Sequence, residues 1–254
     1  MFELHAVSFD ADGQSLLQCA DLRLDAGRVY GLIGHNGSGK STLLKLLARQ
    51  QRASRGSICL NGRPLGRWGC REFAREVAYL PQTLPGANHL TARELVAFGR
   101  YPWHGLLGRM GPRDDDRIER AMALTDTTGF AARAVDSLSG GEAQRVWLAM
   151  LLAQGSRFLL LDEPLSALDV AHQTETLNLV RALCGDLGIG VVIALHDVNL
   201  VSRYCDQIIA LRHGEVLANG SPAQLMCGDT LEAIYGVPMH VLAHPADQRP
   251  VAVI

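Results

Sequence analysis

The nine residues 34–42 constrain the possible folds more than any other part of the chain. They read GHNGSGKST and satisfy the pattern G-x-x-x-x-G-K-[ST]. A short apolar run at residues 29–33 precedes them, and the leucines of residues 40–49 lie on one helical face. Because strand, glycine loop and helix in this order form a phosphate-binding unit, the sequence predicts an α/β nucleotide-binding fold.

The chemistry of this loop follows from its residue types. Its glycines allow a backbone nest around a β-phosphate, Lys40 reaches the β and γ oxygens, and the Ser41 hydroxyl can ligate Mg²⁺. The predicted nucleotide-binding residues of the loop are Gly34, His35, Asn36, Gly37, Ser38, Gly39, Lys40, Ser41 and Thr42.

Strand and helix patterns alternate on both sides of this loop. Residues 2–9 and 16–24 alternate apolar and polar positions and predict an N-terminal antiparallel β region. Residues 158–161 and 191–195 are short apolar runs typical of parallel strands buried on both faces, and helical stretches at 168–187 and 198–204 separate the strands. We therefore expect a phosphate-loop NTPase core of the RecA-like, doubly covered kind.

Helical patterns dominate the middle of the chain. Runs at residues 92–98, 114–124 and 141–153 have helical periodicity, with no convincing strand among them. We expect one domain, 1–254, in which residues 1–83 and 156–254 form the α/β core and 84–155 an inserted helical subdomain. Residues 208–220 read as a hairpin, followed by a short helix with Ser221 as N-cap and Pro222 at its first position.

A second glycine-rich stretch, LSGGE at residues 138–142, precedes an apolar helical run. Free N–H groups and the positive end of the helix dipole make such a start a phosphate site, and glycines let an anion approach closely. An ordinary helix capped by Ser139 is the alternative. The candidate residues are Ser139, Gly140, Gly141 and Glu142.

Two carboxylates follow the apolar run at residues 158–161. Asp162 is placed to hold a Mg²⁺ shell, and Glu163 to orient or deprotonate an attacking water. The alternative is an acidic strand end that caps a helix.

Three further polar residues occupy informative positions. His196 ends the next apolar run and could contact a γ-phosphate, whereas a lone histidine there is more often structural. Gln82 stands where the helical segment begins and could meet both Mg²⁺ and the lytic water, or be a surface glutamine. Asp169 could serve the nucleotide site or be an ordinary carboxylate at a helix start.

Composition excludes several classes of protein. The chain has 254 residues, 48% of them hydrophobic, and a net charge of −2, which argues against a nucleic-acid partner. Its apolar stretches are far shorter than the ~18 residues needed to span a bilayer, and its start lacks a signal-peptide pattern. We expect a cytosolic protein, at most peripheral to a membrane, with no structural metal site of the His/Cys type.

The order of these motifs strongly resembles that of the ATP-binding-cassette ATPases. It runs from the phosphate loop through Gln82, LSGGE, the acidic pair and SALD at residues 166–169 to His196. The resemblance spans about residues 1–220. It implies a head-to-tail homodimer in which each subunit gives its phosphate loop to one ATP and Ser139, Gly140 and Gly141 to the other. Asp169 would couple the two sites across the interface.

Within that family the chain is similar to the ATPases of importers for iron–siderophore complexes, cobalamin and haem, and most of all to the ferric hydroxamate siderophore kind. The stretches that carry this resemblance are GLIGHNGSGKSTLLKLL, VAYLPQ, RELVAFGRYPWHG, DSLSGGE, SALD followed by AHQ, and IYGVP. Tyr101, Pro102 and Trp103 in the third stretch could equally be core residues of the helical subdomain, since aromatic side chains are usually buried.

The resemblance implies an ATP hydrolase that energises a separate integral membrane permease and, indirectly, works with a periplasmic or surface substrate-binding protein. It would lie on the cytoplasmic side of the inner membrane and use Mg²⁺ with ATP, with Gln82 and the helical subdomain coupling hydrolysis to the permease. Import of haem or cobalamin is the alternative cargo. A soluble cassette for DNA repair or translation is a different class, but it would be expected to have a coiled-coil insertion, tandem cassettes or a basic surface.

Two positions depart from the family pattern. Many members have an adenine-stacking aromatic residue where this chain has Ala11, with Phe9 the nearest aromatic. Leu165 replaces a common threonine, and we expect little chemical consequence because this position supplies no catalytic group.

Overall fold

The computed structural model describes residues 1–87, 89–105, 108–166 and 168–254. Three positions of the expected helical segment, Asn88, Leu106 and Leu107, lie outside the described residues, as does Ala167 of the SALD stretch. The strands, in chain order, are β1 Phe2–Ala11, β2 Gln14–Leu24, β3 Val29–Ile33, β4 Arg55–Leu60, β5 Arg63–Pro64, β6 Val77–Leu80, β7 Phe158–Asp162, β8 Gly190–Ala194, β9 Gln207–Arg212, β10 Glu215–Gly220, β11 His240–Ala243 and β12 Pro250–Val253.

Ten α-helices occur within these described ranges, together with short 3₁₀ turns. The helices are α1 Lys40–Leu47, α2 Cys70–Ala74, α3 Ala92–Phe98, α4 Tyr101–His104, α5 Pro112–Leu124, α6 Gly140–Gln154, α7 Val170–Leu187, α8 Val198–Tyr204, α9 Pro222–Leu225 and α10 Gly228–Tyr235.

The strands form two main sheets. The N-terminal sheet has the order β2-β1-β4-β5 and is antiparallel, as expected from the alternating pattern. The second has the order β10-β9-β3-β8-β7-β6, in which only the β9–β10 pair is antiparallel. All residues of β3, β7 and β8 are buried, which explains why their sequences are continuous apolar runs. The predicted α/β architecture is confirmed.

This topology decides where the functional residues lie. In parallel strands the carboxyl ends meet at one edge of the sheet, and ligands of open α/β sheets bind there. The phosphate loop follows β3, the acidic pair is at the end of β7, and His196 follows β8. Pairing of β3 with β8 and of β8 with β7 therefore brings three distant stretches of sequence together.

The expected helical segment contains α3, α4, α5 and α6, and no named strand is found among its described residues. Apolar side chains of α3, α5 and α6 share one core with the inner face of the parallel sheet. The boundaries 84–155 for a separate subdomain remain a prediction, because the shared core alone does not fix them.

A buried ion pair braces the helical segment. Arg100 Nε donates to Asp114 Oδ1 over 2.9 Å, the Gly111 N–H donates to Asp114 Oδ2 over 2.9 Å, and Arg100 Nη1 donates to the carbonyl of Ala153 over 2.7 Å. Burial raises the pKa of Asp114, but hydrogen bonds from Gly111, His104 and Arg100 outweigh it and hold the pKa far below its usual range. The pair thus ties α5 to the last turn of α6.

The possible core placement of Tyr101, Pro102 and Trp103 in α4 is wrong for the two aromatic residues. Pro102 is buried, but Tyr101 is 50% and Trp103 40% exposed. Trp103 donates its indole N–H to the Gln154 carbonyl over 2.8 Å and lies under the guanidinium groups of Arg75 and Arg100. A four-residue helix has no second turn with which to bury both rings, so they cover the surface of the segment.

The C-terminal part packs back onto the sheet. Arg212 Nη1 donates to the Ala233 carbonyl of α10 over 2.6 Å, and the β11–β12 hairpin contacts α8. None of the described helices has the length and apolar character required to cross a membrane.

Candidate nucleotide site

The phosphate loop begins where β3 ends, and its first glycine is required sterically. Gly34 has φ 140°, and a Cβ there would collide with the Leu211 carbonyl oxygen of β9. Gly39, with φ 105°, is the N-cap of α1, and Lys40 is the first residue of that helix. The loop therefore wraps in front of a helix start, where free N–H groups favour an anion.

Lys40 lies inside this loop and is only 4% exposed. Its Nζ donates to the carbonyls of Gly34 over 2.8 Å and His35 over 3.0 Å. Burial lowers the pKa of Lys40, and the carboxylates of Glu163 and Asp162 oppose this shift. The ammonium group is thus held between the loop and the acidic pair.

Ser41 and Asp162 meet across the parallel sheet. Ser41 Oγ donates to Asp162 Oδ1 over 2.9 Å, and Tyr79 Oη donates to Asp162 Oδ2 over 3.2 Å. Burial raises the pKa of Asp162, while these two hydrogen bonds oppose the rise. A buried carboxylate beside a hydroxyl is an oxygen donor set that suits Mg²⁺, whose charge would offset the cost of burial. Sequence reasoning missed Tyr79, because its place beside Asp162 follows only from the pairing of β6 with β7.

Gln82, Glu163 and His196 converge on one oxygen atom. Gln82 Nε2 donates to Glu163 Oε2 over 2.6 Å, and His196 Nε2 lies 2.8 Å from the same oxygen. Glu163 has φ 49°, a left-handed conformation uncommon for a non-glycine residue and often found at functional sites. The three side chains and the phosphate loop line one cavity of about 380 Å³.

LSGGE lies outside the lining of that cavity. Ser139 is the N-cap of α6: its Oγ accepts from the Glu142 N–H over 3.3 Å, while Glu142 Oε2 accepts from the Ser139 N–H over 2.8 Å. Ser139 and Gly140 are exposed, and Gly141 is half-buried. The capping interpretation is therefore correct for Ser139, and the glycine face of the helix start remains open to a ligand from outside.

Asp169 caps the next helix and reaches LSGGE indirectly. Its Oδ1 accepts from the His172 N–H over 2.9 Å and lies 2.8 Å from His172 Nδ1. A Cβ built on Gly141 would be 3.1 Å from Cδ2 of His172. Asp169 is thus the N-cap of α7, so the helix begins at Val170 rather than at the expected 168. His172 had no predicted role, since only the folded chain places it against Gly141.

The cavity has no conventional residue for stacking on a nucleotide base within the described part of the chain. Among the described residues, no Phe, Tyr or Trp lines the cavity. Ala11 ends β1, and Phe9 packs against the core beneath the antiparallel sheet. Leu16 of β2 is the apolar side chain that lines the cavity beside the loop.

Comparison with known proteins identifies the family. Residues 17–166 match the model of the ABC transporter family. The chain belongs to the ABC transporter family. As a member of this family, with the phosphate loop and Glu163 lining one cavity, it is an ATP-binding cassette that hydrolyses ATP in connection with transport.

Three curated relatives cover most of the chain. The petrobactin import ATP-binding protein FpuC of Bacillus anthracis is 36% identical over 95% of this chain and 89% of its own length. The iron(3+)-hydroxamate import ATP-binding protein FhuC of Bacillus subtilis is 36% identical over 93% of this chain and 88% of its own length. The hemin import ATP-binding protein HmuV of Nocardia farcinica is 43% identical over 91% of this chain and 79% of its own length.

Solved structures agree with the fold. A putative metal-chelate type ABC transporter in an inward-facing conformation superposes with a TM-score of 0.86 at 24% identity, over 99% of this chain and 96% of that one. A bacterial ABC transporter cassette solved as a dimer gives 0.76 at 25% identity, over 87% and 98%. The first likeness, at this low identity, is evidence for the fold alone.

Proposed function

We propose that this chain is the ATP-hydrolysing subunit of an importer for an iron(III)–hydroxamate siderophore and drives a separate membrane permease. The observation that carries the hydrolytic part is the meeting of Gln82, Glu163 and His196 beside the phosphate loop. FpuC, named as a petrobactin import ATP-binding protein, supports the direction of transport, and FhuC, named as an iron(3+)-hydroxamate import ATP-binding protein, supports both the direction and the class of cargo.

The residues divide the work of hydrolysis. The loop N–H groups and Lys40 bind the β- and γ-phosphates, where negative charge develops during transfer. The Glu163 carboxylate accepts a proton from the attacking water, and Gln82 and His196, which contact the same oxygen, hold that carboxylate and the water in line. Ser41 and Asp162, with Gln82, would hold Mg²⁺, which neutralises phosphate charge when bound.

A second copy of the chain completes the site. Ser139 and Gly140 are exposed at the start of α6, Gly141 and Glu142 are half-buried, and none of the four lines the cavity beside their own phosphate loop. A head-to-tail homodimer would bring each LSGGE to the ATP held by the partner, with Asp169 at the interface. A related cassette solved as a dimer supports this arrangement.

The permease would hold the chain at the cytoplasmic face of the plasma membrane. Gln82 links the cavity to the helical segment, so closure around ATP can move that segment against the permease. A substrate-binding protein outside the membrane would deliver the cargo. Haem is the second candidate cargo, because HmuV, at 43%, is more identical to this chain than FhuC.

Glu163→Gln tests the hydrolytic assignment. The amide cannot accept the proton, so we expect turnover to fall about 10²-fold or more with ATP binding retained and the dimer trapped. Glu215→Gln, at an exposed position of β10, is the matched control. Wild-type turnover in Glu163→Gln would remove this residue from its role.

The cargo is tested separately, in a strain that lacks the chain. Uptake of labelled ferric hydroxamate should be lost and restored by the wild-type chain. Restored uptake of haem or cobalamin instead would correct the cargo while leaving the ATPase assignment intact. Co-purification with ribosomes or DNA, and not with a polytopic membrane protein, would overturn the importer assignment.

A further inference from the structure

The last helix of the chain lies beside the phosphate loop. Leu231 and Ile234 anchor α10 in the core that also contains Ile33, the last residue of β3. Arg212 at the end of β9 binds the Ala233 carbonyl, as described above. Since β9 pairs with β3, both anchors hold α10 next to the strand from which the phosphate loop begins.

Tyr235, the last residue of α10, makes the direct contact. Its ring meets the His35 ring edge to face, with centroids 5.8 Å apart and an interplanar angle of 73°. His35 is the second residue of the phosphate loop, and its carbonyl accepts both from Lys40 Nζ over 3.0 Å and from the Ser38 N–H over 3.1 Å. The tyrosine ring therefore buttresses the residue whose carbonyl orients Lys40.

The ring, and not the hydroxyl, carries this contact. The hydroxyl oxygen of Tyr235 is buried and has no hydrogen-bond partner in the described part of the chain. Burial, with a smaller contribution from the Asp197 carboxylate, raises the pKa of Tyr235 to about 12, so the phenol stays neutral. Because this hydroxyl makes no hydrogen bond, Tyr235→Phe should remove no stabilising interaction.

The C-terminal hairpin contacts the helix α8 that follows His196. Asn199 Nδ2 donates to the Ala252 carbonyl over 3.0 Å, and the Ala252 N–H donates to Asn199 Oδ1 over 2.7 Å. Asn199 is in the first turn of α8, directly after His196 and Asp197. Residues 221–254 thus contact both the phosphate loop and the helix that follows His196, although the family model matches only residues 17–166.

We propose that Tyr235 is a positioning residue for ATP binding, which fixes His35 and through it the shape of the phosphate loop. The C-terminal segment is then a working part of the nucleotide site. The assignment concerns the ATP held by a chain's own phosphate loop and does not depend on the cargo or the permease.

Tyr235→Leu removes the ring and keeps a shorter apolar side chain. Because the contact orients the loop equally before and during phosphoryl transfer, the KM for ATP should rise roughly three- to tenfold with little change in kcat. Tyr235→Phe keeps the ring and should rescue the KM fully. Val237→Ala, at an exposed position two residues away, is the control for the segment.

A double-mutant cycle with His35→Ala separates positioning from a general structural role. If the two rings act as a pair, Tyr235→Leu should change the KM less than about twofold in the His35→Ala background. An equal rise in both backgrounds, or a lower Tm with unchanged KM in Tyr235→Leu, would overturn the proposal. Should Tyr235→Leu fold poorly, His35→Ala decides alone, since an unchanged KM there also overturns it.

Discussion

Two glycine-rich helix starts of this chain look alike in sequence and differ in surroundings. The phosphate loop is enclosed by its own chain: Lys40 is buried within it, Asp162 at the end of β7 accepts a hydrogen bond from the loop's Ser41, and Glu163 and His196 line the same cavity as the loop. In LSGGE only Ser139 and Gly140 are exposed, and the side chains of Ser139 and Glu142 cap their own helix. The first stretch is enclosed by its own chain, whereas the second, in the proposed dimer, would meet the ATP held by the partner.

The glycines of the two stretches reflect this difference. At Gly34 the backbone conformation and the Leu211 carbonyl both exclude a side chain. At Gly141 the three atoms nearest to an added Cβ would belong to the ring of His172, the first at 3.1 Å. Glycine is therefore required sterically at Gly34, whereas at Gly141 the proposed approach of a phosphate is the reason for it.

The largest effect is expected when two inactive variants are mixed. Lys40→Ala disables a subunit's own loop, and Ser139→Arg disables the site that it offers to a partner, so each homodimer should lose about 10²-fold or more in hydrolysis. In the mixed dimer one loop and one LSGGE remain intact at the same site. An equimolar mixture should recover about a quarter of the wild-type rate, since half of the dimers are mixed and each has one working site.

Two controls accompany the mixing experiment. Thr91→Arg replaces the N-cap of α3, which has the same capping box with Glu94, and should leave hydrolysis largely intact. A Lys40→Ala/Ser139→Arg double variant mixed with wild type should gain nothing from the mixed dimers. Recovery in that second mixture and none in the first would place LSGGE at its own subunit's ATP.

Replacement of a glycine by alanine should have a smaller effect. In the phosphate loop it should mainly lower stability, and in LSGGE it should mainly lower ATP hydrolysis. Gly34→Ala should lower the free energy of unfolding by about 3 kcal/mol or more, because of backbone strain and the collision with Leu211. Gly141→Ala should change it by less than about 1 kcal/mol while lowering ATP hydrolysis. Urea unfolding and turnover, measured on both variants, check the contrast, and equal losses of stability would refute it.

The smallest expected effect on ATP hydrolysis comes from Asp114→Asn. Asp114 is on α5, and Arg100 links it to the last turn of α6, the helix that begins with LSGGE. The substitution leaves the buried Arg100 without its carboxylate partner, so the free energy of unfolding should fall by about 3 kcal/mol at neutral pH. The ATP affinity of the phosphate loop should not change. Folding lowers the pKa of Asp114. The carboxylate's contribution to the free energy of unfolding is therefore fully present above the ordinary aspartate range and is lost as pH falls below about 4.

The measurement is the difference in unfolding free energy between Asp114→Asn and wild type from pH 7 to pH 3. It should be largest at neutral pH and shrink toward acid. Asp116→Asn, an exposed neighbour on α5, should show no such trend. A difference that grows toward acid would contradict the assigned sign.

Sequence patterns predicted the strands and helices around the motifs well. They missed the elements in which apolar residues do not recur with a clear period. The boundaries of Val29–Ile33, Ala92–Phe98 and Val198–Tyr204 agree with the structure. The strand Arg55–Leu60 has buried positions only at Ile58 and Leu60, too few for alternation to mark it, and Val77–Leu80 is too short to stand out beside the helical segment. The C-terminal strands and α10 were likewise not predicted.

By itself the sequence determined the kind of chemistry, because the phosphate loop, the acidic pair, LSGGE and their order require particular residue types at fixed local spacings. It also determined the α/β class, since buried parallel strands must be continuously apolar. Only the tertiary structure decided which residues meet: Tyr79 with Asp162, His172 with Gly141, and Tyr235 with His35. Such contacts join residues far apart in the chain, and their geometry depends on strand pairing and helix packing that no local pattern encodes.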